Sequence, residues 1–142
     1  MKKILVAIDV SRSGGNDKIL ETAKTLANAT DGELFLLHAI EPIPKRVQAE
    51  VPSSAHEKHL AFADEKMQEL KQSLGCEHGI IREGAASAQI LSYAEEIHAD
   101  LIVMHSHDPD MTDYIMGSVA GRVVRHAHCS VHIVREAKAG RM

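Results

Sequence analysis

Apolar runs of strand length alternate with amphipathic segments of helix length along this 142-residue chain. Such an alternation restricts a chain to folds assembled from βαβ units. Lys3 to Ile8 reads as a first strand, Leu34 to Ile40 as a second, and His78 to Arg82 as a third. Leu101, Ile102, Val103 and Met104 form a fourth, an unbroken apolar run of the kind covered on both faces. Ser130 to Val134 is the fifth, read as a second buried strand. Between them, Ile19, Leu20, Ala23, Leu26 and Ala27 recur at helical spacing, as do Leu60, Ala63, Met67, Leu70 and Leu74, then Ile90, Leu91, Ala94 and Ile97. Gly117 and Ser118 open a last helix carrying Val119, Val123 and Val124. Asp31 and Gly32 end the first helix, and Pro42 and Pro44 stop the second strand because proline lacks the donor a central strand needs. Residues 45 to 54 form a longer irregular connection, the natural place for a lid or partner surface.

Five strands joined by helical crossovers, each expected to be right-handed, make a doubly wound α/β sheet. Ligands of such sheets bind beyond the carboxyl ends of the strands where the strand order reverses. Here the two candidate lips are the loops after strands one and four, which carry Asp9 and His105 to Asp108.

Composition narrows the partners. The chain is 44% hydrophobic yet has no Trp, two Tyr and two Phe, which suits aliphatic helices packed on a parallel sheet better than an aromatic-rich sandwich. Its length suits one domain. A net charge of −4 without a basic stripe argues against nucleic acid as the main partner. The opening MKKILVAIDV is broken by Asp9 and reaches no small-residue cleavage site, so it reads as a strand rather than a leader. No stretch is long enough to span a bilayer, and Cys76 and Cys129 stand alone without a CxxC pair. A cytoplasmic protein is the expectation.

The candidate chemistry lies on the two lips. A carboxylate ending an apolar strand, as Asp9 does, needs donors: a ribose hydroxyl or adenine amino group would serve, and so would a helix cap or water. Ser11 and Ser13 offer the same capping alternatives. The first N–H groups of a helix opened by Gly117 and Ser118 have no intrahelical acceptor, and a phosphate would satisfy them. Neither GxxxxGK[ST] nor GxGxxG occurs, so a Walker-type or dinucleotide site is not supported.

The segments ILVAIDVS, ELFLLHAIEP, MHSHDPDMTDYIMGSV and RVVRHAHCSVHIVR together resemble the universal stress protein family over essentially the whole chain, and most of all its small F/G-type bacterial branch. The resemblance implies a single domain over residues 1–142 with its core at about 2–136. It also implies a Rossmann-like parallel sheet in the order 3-2-1-4-5, adenine-nucleotide binding, and homodimers, or tetramers built from them, pairing through the last strand. Carried onto this chain, it places Ala7, Ile8 and Asp9 around base and ribose, with Ala39 reading the adenine edge by its backbone. Met104 becomes an apolar contact near the sugar, and Gly117, Ser118 and Val119 hold phosphate.

Where the family's ATP-binding pattern has two glycines after strand four, this chain has His105 and Asp108, and the spacing from Asp108 to Gly117 is one residue shorter. A carboxylate at Asp108 would repel a triphosphate at close range unless a cation intervened. The expectation is ATP binding that is weaker than in a glycine-rich relative or dependent on Mg2+.

Ten histidines raise the question of a metal, since His105, His107 and Asp108 sit close together in an extended segment. Each histidine has a plain alternative: His38 and His132 as half-buried residues interrupting strands, His56, His59 and His98 on helices, His126 and His128 at a helix end. No ligand set is read here. Catalysis is weakly supported, because Asp108 or Asp110 as base and Arg12, Lys45 or Arg46 as cations are fixed by no spacing. Cys129 reads as a small core residue. Three functions remain: an adenine-nucleotide-binding stress sensor or regulator acting on an unidentified protein partner, a nucleotide-free interaction module of the same fold, and a slow ATPase or self-phosphorylating protein using Ser118. As an edge strand, Ser130 to Val134 would expose unpaired backbone groups that a second copy would cover.

Overall fold

The computed structural model describes residues 2–10, 16–41, 53–106 and 117–135. In chain order these give β1 (Lys3–Ala7), α1 (Asp17–Thr30), β2 (Glu33–Ile40), α2 (Ser53–Leu74), β3 (His78–Glu83), α3 (Ala86–Ile97), β4 (Leu101–His105), α4 (Ser118–His126) and β5 (Ser130–Val134). The strands form one sheet in the order β3-β2-β1-β4-β5, with every neighbouring pair parallel. Strand identities and sheet order therefore agree with the sequence reading. Among the described residues no helix is long and apolar enough to cross a membrane.

Period-two alternation along the central strands divides the core into two layers. Ile4, Val6, Leu36, Ile40 and Val103 face one way and pack with Ile19, Ala23 and Ala27 of α1 and Ala63 and Met67 of α2. Leu5, Phe35, Leu37, Ile102 and Met104 face the other way, against Ile90, Tyr93 and Ala94 of α3 and Ala120 and Val123 of α4. The stripe read on α2 is thus core packing, and Tyr93 joins the layer with the Arg82 guanidinium over its ring at 4.8 Å.

Three details refine the sequence reading. The residue that turns left-handed to end α1 is Asp31 (φ 52), not Gly32. Asp tolerates that conformation through its short polar side chain. Gly32 is needed for another reason: a Cβ there would stand 2.8 Å from the Ile4 side chain and 3.0 Å from Thr30 Oγ1. Second, Val124 is 46% exposed while Val123 is fully buried, because adjacent helix positions point about 100° apart and a nine-residue helix buries one narrow face. Third, β5 stands at the sheet edge, as the 3-2-1-4-5 order implied, and is covered less than a buried strand: Val134 is buried, Val131 and Ile133 are half-buried, and Ser130 and His132 are exposed, so His132 is not the half-buried residue expected.

Candidate nucleotide-binding site

Reversal of strand order between β1 and β4 puts the switch point between their carboxyl ends. The last paired couple across that junction is Val6 with Val103, so Ala7 and Met104 lie one step beyond it, followed by Ile8 with Asp9 and by His105. On the other side of β1, Ala7 is in register with Leu37, and Ala39 lies two residues further along β2. Predicted positions from three separate parts of the chain are thus gathered on one edge of the sheet.

The N-terminus of α4 is held against the same edge. Ser106, buried just past β4, donates its N–H to the Val134 carbonyl at 3.1 Å and accepts the Gly117 N–H at 2.8 Å. Gly117 is extended (φ −63°, ψ 161°), and the first bond of the helix runs from the Gly121 N–H to the Gly117 carbonyl. The N–H groups of Ser118, Val119 and Ala120 therefore precede the helical ladder, and the positive end of the helix dipole lies with them. This refines the expectation: the Gly117 N–H is engaged by Ser106, so the amides available to an anion begin at Ser118, which is exposed, and Val119, which is half-buried.

Met104 and Ile8 present little side chain to a ligand, being 3% and 7% exposed within opposite core layers. What they offer at the edge is backbone. His105 is half-buried at the end of β4. Asp108 lies outside the described residues, as do His107, Asp110, Ser11, Arg12, Ser13, Lys45 and Arg46 and nearly all of the 45 to 54 connection.

Two residues that shape the β1 lip escaped the sequence reading. Asn16 is buried and closes the loop in two directions: its Nδ2 donates to the Asp9 carbonyl at 2.6 Å and its Oδ1 accepts the Asp9 N–H at 3.1 Å. Its side chain consequently makes no capping bond to α1. An Asn directly before a helix that begins with Asp was the available signal, although it points to an ordinary cap. His38 is 6% exposed, not half-buried, and its Nδ1 lies 3.3 Å from the Val10 N–H, 3.2 Å from the Ile8 carbonyl and 3.9 Å from the Asp9 carboxylate. Asp9 itself keeps its carboxylate 44% exposed at the lip.

Elsewhere several titratable groups are held in ion pairs. His78 binds Glu33 at 2.8 Å, His56 binds Glu83 at 2.6 Å, and Arg82 binds Glu96. His98 is the left-handed cap that ends α3, and His132 stands exposed on the edge strand. Burial pushes the Cys76 thiol up, and its S–H is shared by the Leu34 and His78 carbonyls. Burial, helped by Asp100, also raises Cys129, so neither cysteine is a poised nucleophile. Glu95, His98, His126, His128 and Cys129 line a cleft on the far, amino edge of the sheet. Among the described residues, however, no three His, Cys, Asp or Glu side chains are placed to hold a metal ion.

A 3-2-1-4-5 parallel sheet with helices on both faces and a polar lip at its switch point defines the doubly wound α/β class. The family model for the universal stress protein family matches residues 1–135, and the chain belongs to that family. Universal stress protein G of Shigella flexneri is 30% identical over an alignment covering 94% of this chain and 99% of the relative. Among solved structures, hypothetical protein MJ0577 superposes with a TM-score of 0.80 at 26% identity, covering 96% of this chain and 97% of that one. A universal stress protein in complex with cAMP shares the fold at a TM-score of 0.63 and 21% identity, covering 94% of this chain and 96% of that one.

Proposed function

We propose that this universal stress protein binds an adenine nucleotide, ATP in the first instance, and acts as a cytoplasmic sensor or regulator rather than by turnover. The observation that carries the reading is the convergence at the switch point of the Asp9 lip, the β4 end and an α4 N-terminus tied down by Ser106. Base and ribose would lie against Ala7 to Asp9 and the Ala39 backbone, and phosphate against the Ser118 and Val119 amides and the Ser118 hydroxyl. That a universal stress protein of the same fold was solved in complex with cAMP supports an adenine nucleotide as the class of ligand. Binding need only favour one arrangement of the lip loops to change a surface read by a partner protein.

The test is to purify the protein without added nucleotide, denature it, identify released small molecules by mass spectrometry, and titrate the emptied protein with Mg2+-ATP. Saturable binding supports the reading, and its absence would leave a nucleotide-free interaction module of the same fold. That second reading is favoured by one observation: a half-buried His105 side chain stands at the end of β4 where the ATP-binding pattern carries glycine. In the same titration, chelating Mg2+ is expected to weaken ATP binding by about tenfold, and Asp108→Ala to remove most of that dependence, because the negative charge that the cation would offset is gone. Equal affinity with and without chelator in both proteins would exclude this role for Asp108.

We further propose a homodimer through β5. Among the described residues that strand is an edge, paired with β4 on one side, with Val131 and Ile133 half-buried. Light scattering at micromolar concentration should return twice the 15.5 kDa of the chain. A monomer mass would refute it.

A further inference from the structure

Among the described residues, His38 is a buried titratable side chain that touches the candidate site without belonging to it, and it reaches Val10, Ile8 and Asp9 through Nδ1. The Val10 N–H is directed at Nδ1, so in the neutral ring with its proton on Nε2 this nitrogen accepts that bond. With a proton on Nδ1 the same nitrogen must instead donate to the Ile8 carbonyl, 3.2 Å away, and the Val10 N–H loses its acceptor. Ile8 and Val10 flank Asp9, whose carboxylate Oδ1 lies 3.9 Å from that nitrogen. One proton therefore selects between two hydrogen-bond sets on either side of the lip carboxylate.

We propose that His38 is a proton-sensitive positioning residue for Asp9, which rests on the nucleotide reading above. With Nδ1 unprotonated, the Val10 bond and the Asn16 clamp hold the lip, and the carboxylate is directed to a ligand's hydroxyls. Charging the imidazole draws the carboxylate inward and withdraws it from the ligand, so nucleotide affinity falls as the ring protonates. By linkage, bound nucleotide disfavours the charged ring to the same extent. Among the described residues, the carboxylate paired with the ring is that of Asp9. Asn16, which holds the Asp9 backbone, is neutral, and the register partner of His38 on β3 is Ile81. Arg82 is engaged by Glu96 and Tyr93 of α3, Glu83 by His56 of α2, and α2 otherwise packs an apolar stripe on this face.

The experiment has two arms. In 15N-labelled, ligand-free protein, the His38 ring nitrogens and the Val10 amide are followed through a pH titration. Separately, Mg2+-ATP affinity is measured at about pH 8 and about pH 5.5, on either side of histidine titration, for wild type, His38→Asn and His38→Leu. Asn places an acceptor near the Nδ1 position and cannot titrate. The expected spectrum shows Nε2–H at high pH and a Val10 amide that moves with the His38 titration. In the binding arm, wild type should lose about fivefold more affinity at low pH than His38→Asn, a ratio in which the titration of ATP itself cancels. His38→Leu should bind more weakly than His38→Asn at both pH values. A proton on Nδ1 throughout, a Val10 amide indifferent to His38, or equal pH dependence in wild type and His38→Asn would overturn the proposal. Failure of every form to bind Mg2+-ATP would instead remove the nucleotide reading, while the spectra judge the hydrogen-bond exchange regardless.

Discussion

Replacing Ser118 by proline is expected to lower affinity for Mg2+-ATP by about 10- to 100-fold while leaving the fold intact. Ser118 is the first residue of α4, where proline is tolerated because its missing N–H would have no intrahelical acceptor. The residue before a proline must be extended, and Gly117, at φ −63° and ψ 161°, already is. The bond from the Gly121 N–H to the Gly117 carbonyl and the tie from the Gly117 N–H to Ser106 are both retained, so the helix start keeps its place. What disappears is one backbone N–H and one hydroxyl aimed at the proposed phosphate position. A hydrogen bond to a charged group is worth roughly 1.5–3 kcal/mol, and about 1.4 kcal/mol is a factor of ten. Calorimetric titration measures the loss, and circular dichroism with thermal melting confirms the fold. Ser118→Ala, which keeps the N–H, should lose less than Ser118→Pro. If the folded proline variant bound as tightly as wild type, neither the amide nor the hydroxyl of Ser118 would hold the phosphate.

The second large effect is on stability. Asn16→Ala removes both hydrogen bonds that close the β1 lip, leaving the Asp9 N–H and carbonyl without the Asn16 partners they have in this structure. Loss of partners at partly buried backbone groups costs about 1–3 kcal/mol. Because the Asn16 side chain does not cap α1, and the Leu20 N–H bonds the Asn16 carbonyl whatever the side chain, the loss belongs to the lip and not to the helix. Urea unfolding should show a lower midpoint with an unchanged slope. Asn16→Asp is expected to be at least as damaging, since it keeps an acceptor for the Asp9 N–H, cannot donate to the Asp9 carbonyl and brings a second negative charge beside Asp9. A midpoint equal to wild type for both variants would show that the clamp contributes nothing. Both should also weaken nucleotide binding if Asp9 contacts the ligand.

These expectations divide between residues that sequence pattern exposes and residues that it hides. The Gly117–Ser118 helix start, the Asp9 strand end and the apolar run of β4 are written in local order, as composition breaks and periodicities that need no knowledge of the rest of the chain. Asn16 and His38 are not. Asn16 stands where an Asn is normally a helix cap, yet its side chain turns back seven residues to Asp9. His38 looks like a polar interruption of an apolar strand, and its partners lie 28 and 30 residues away on the neighbouring strand's extension. The same blindness applies to Val124, because an apolar residue carries no mark of which face a short helix turns inward.

By itself the sequence determined five strands, four helices, their alternation and, from that alternation, a doubly wound parallel sheet, since hydrophobic period and turn chemistry act between residues a few positions apart. The tertiary structure alone decided that the Gly117 N–H is taken by Ser106 and that the Asp9 lip is clamped by Asn16 and His38. Those are hydrogen bonds whose partners are chosen by the geometry of the assembled sheet. Polar groups turned inward by packing must take whatever donor or acceptor the neighbouring strand or loop brings within reach, and no local pattern records which one that is.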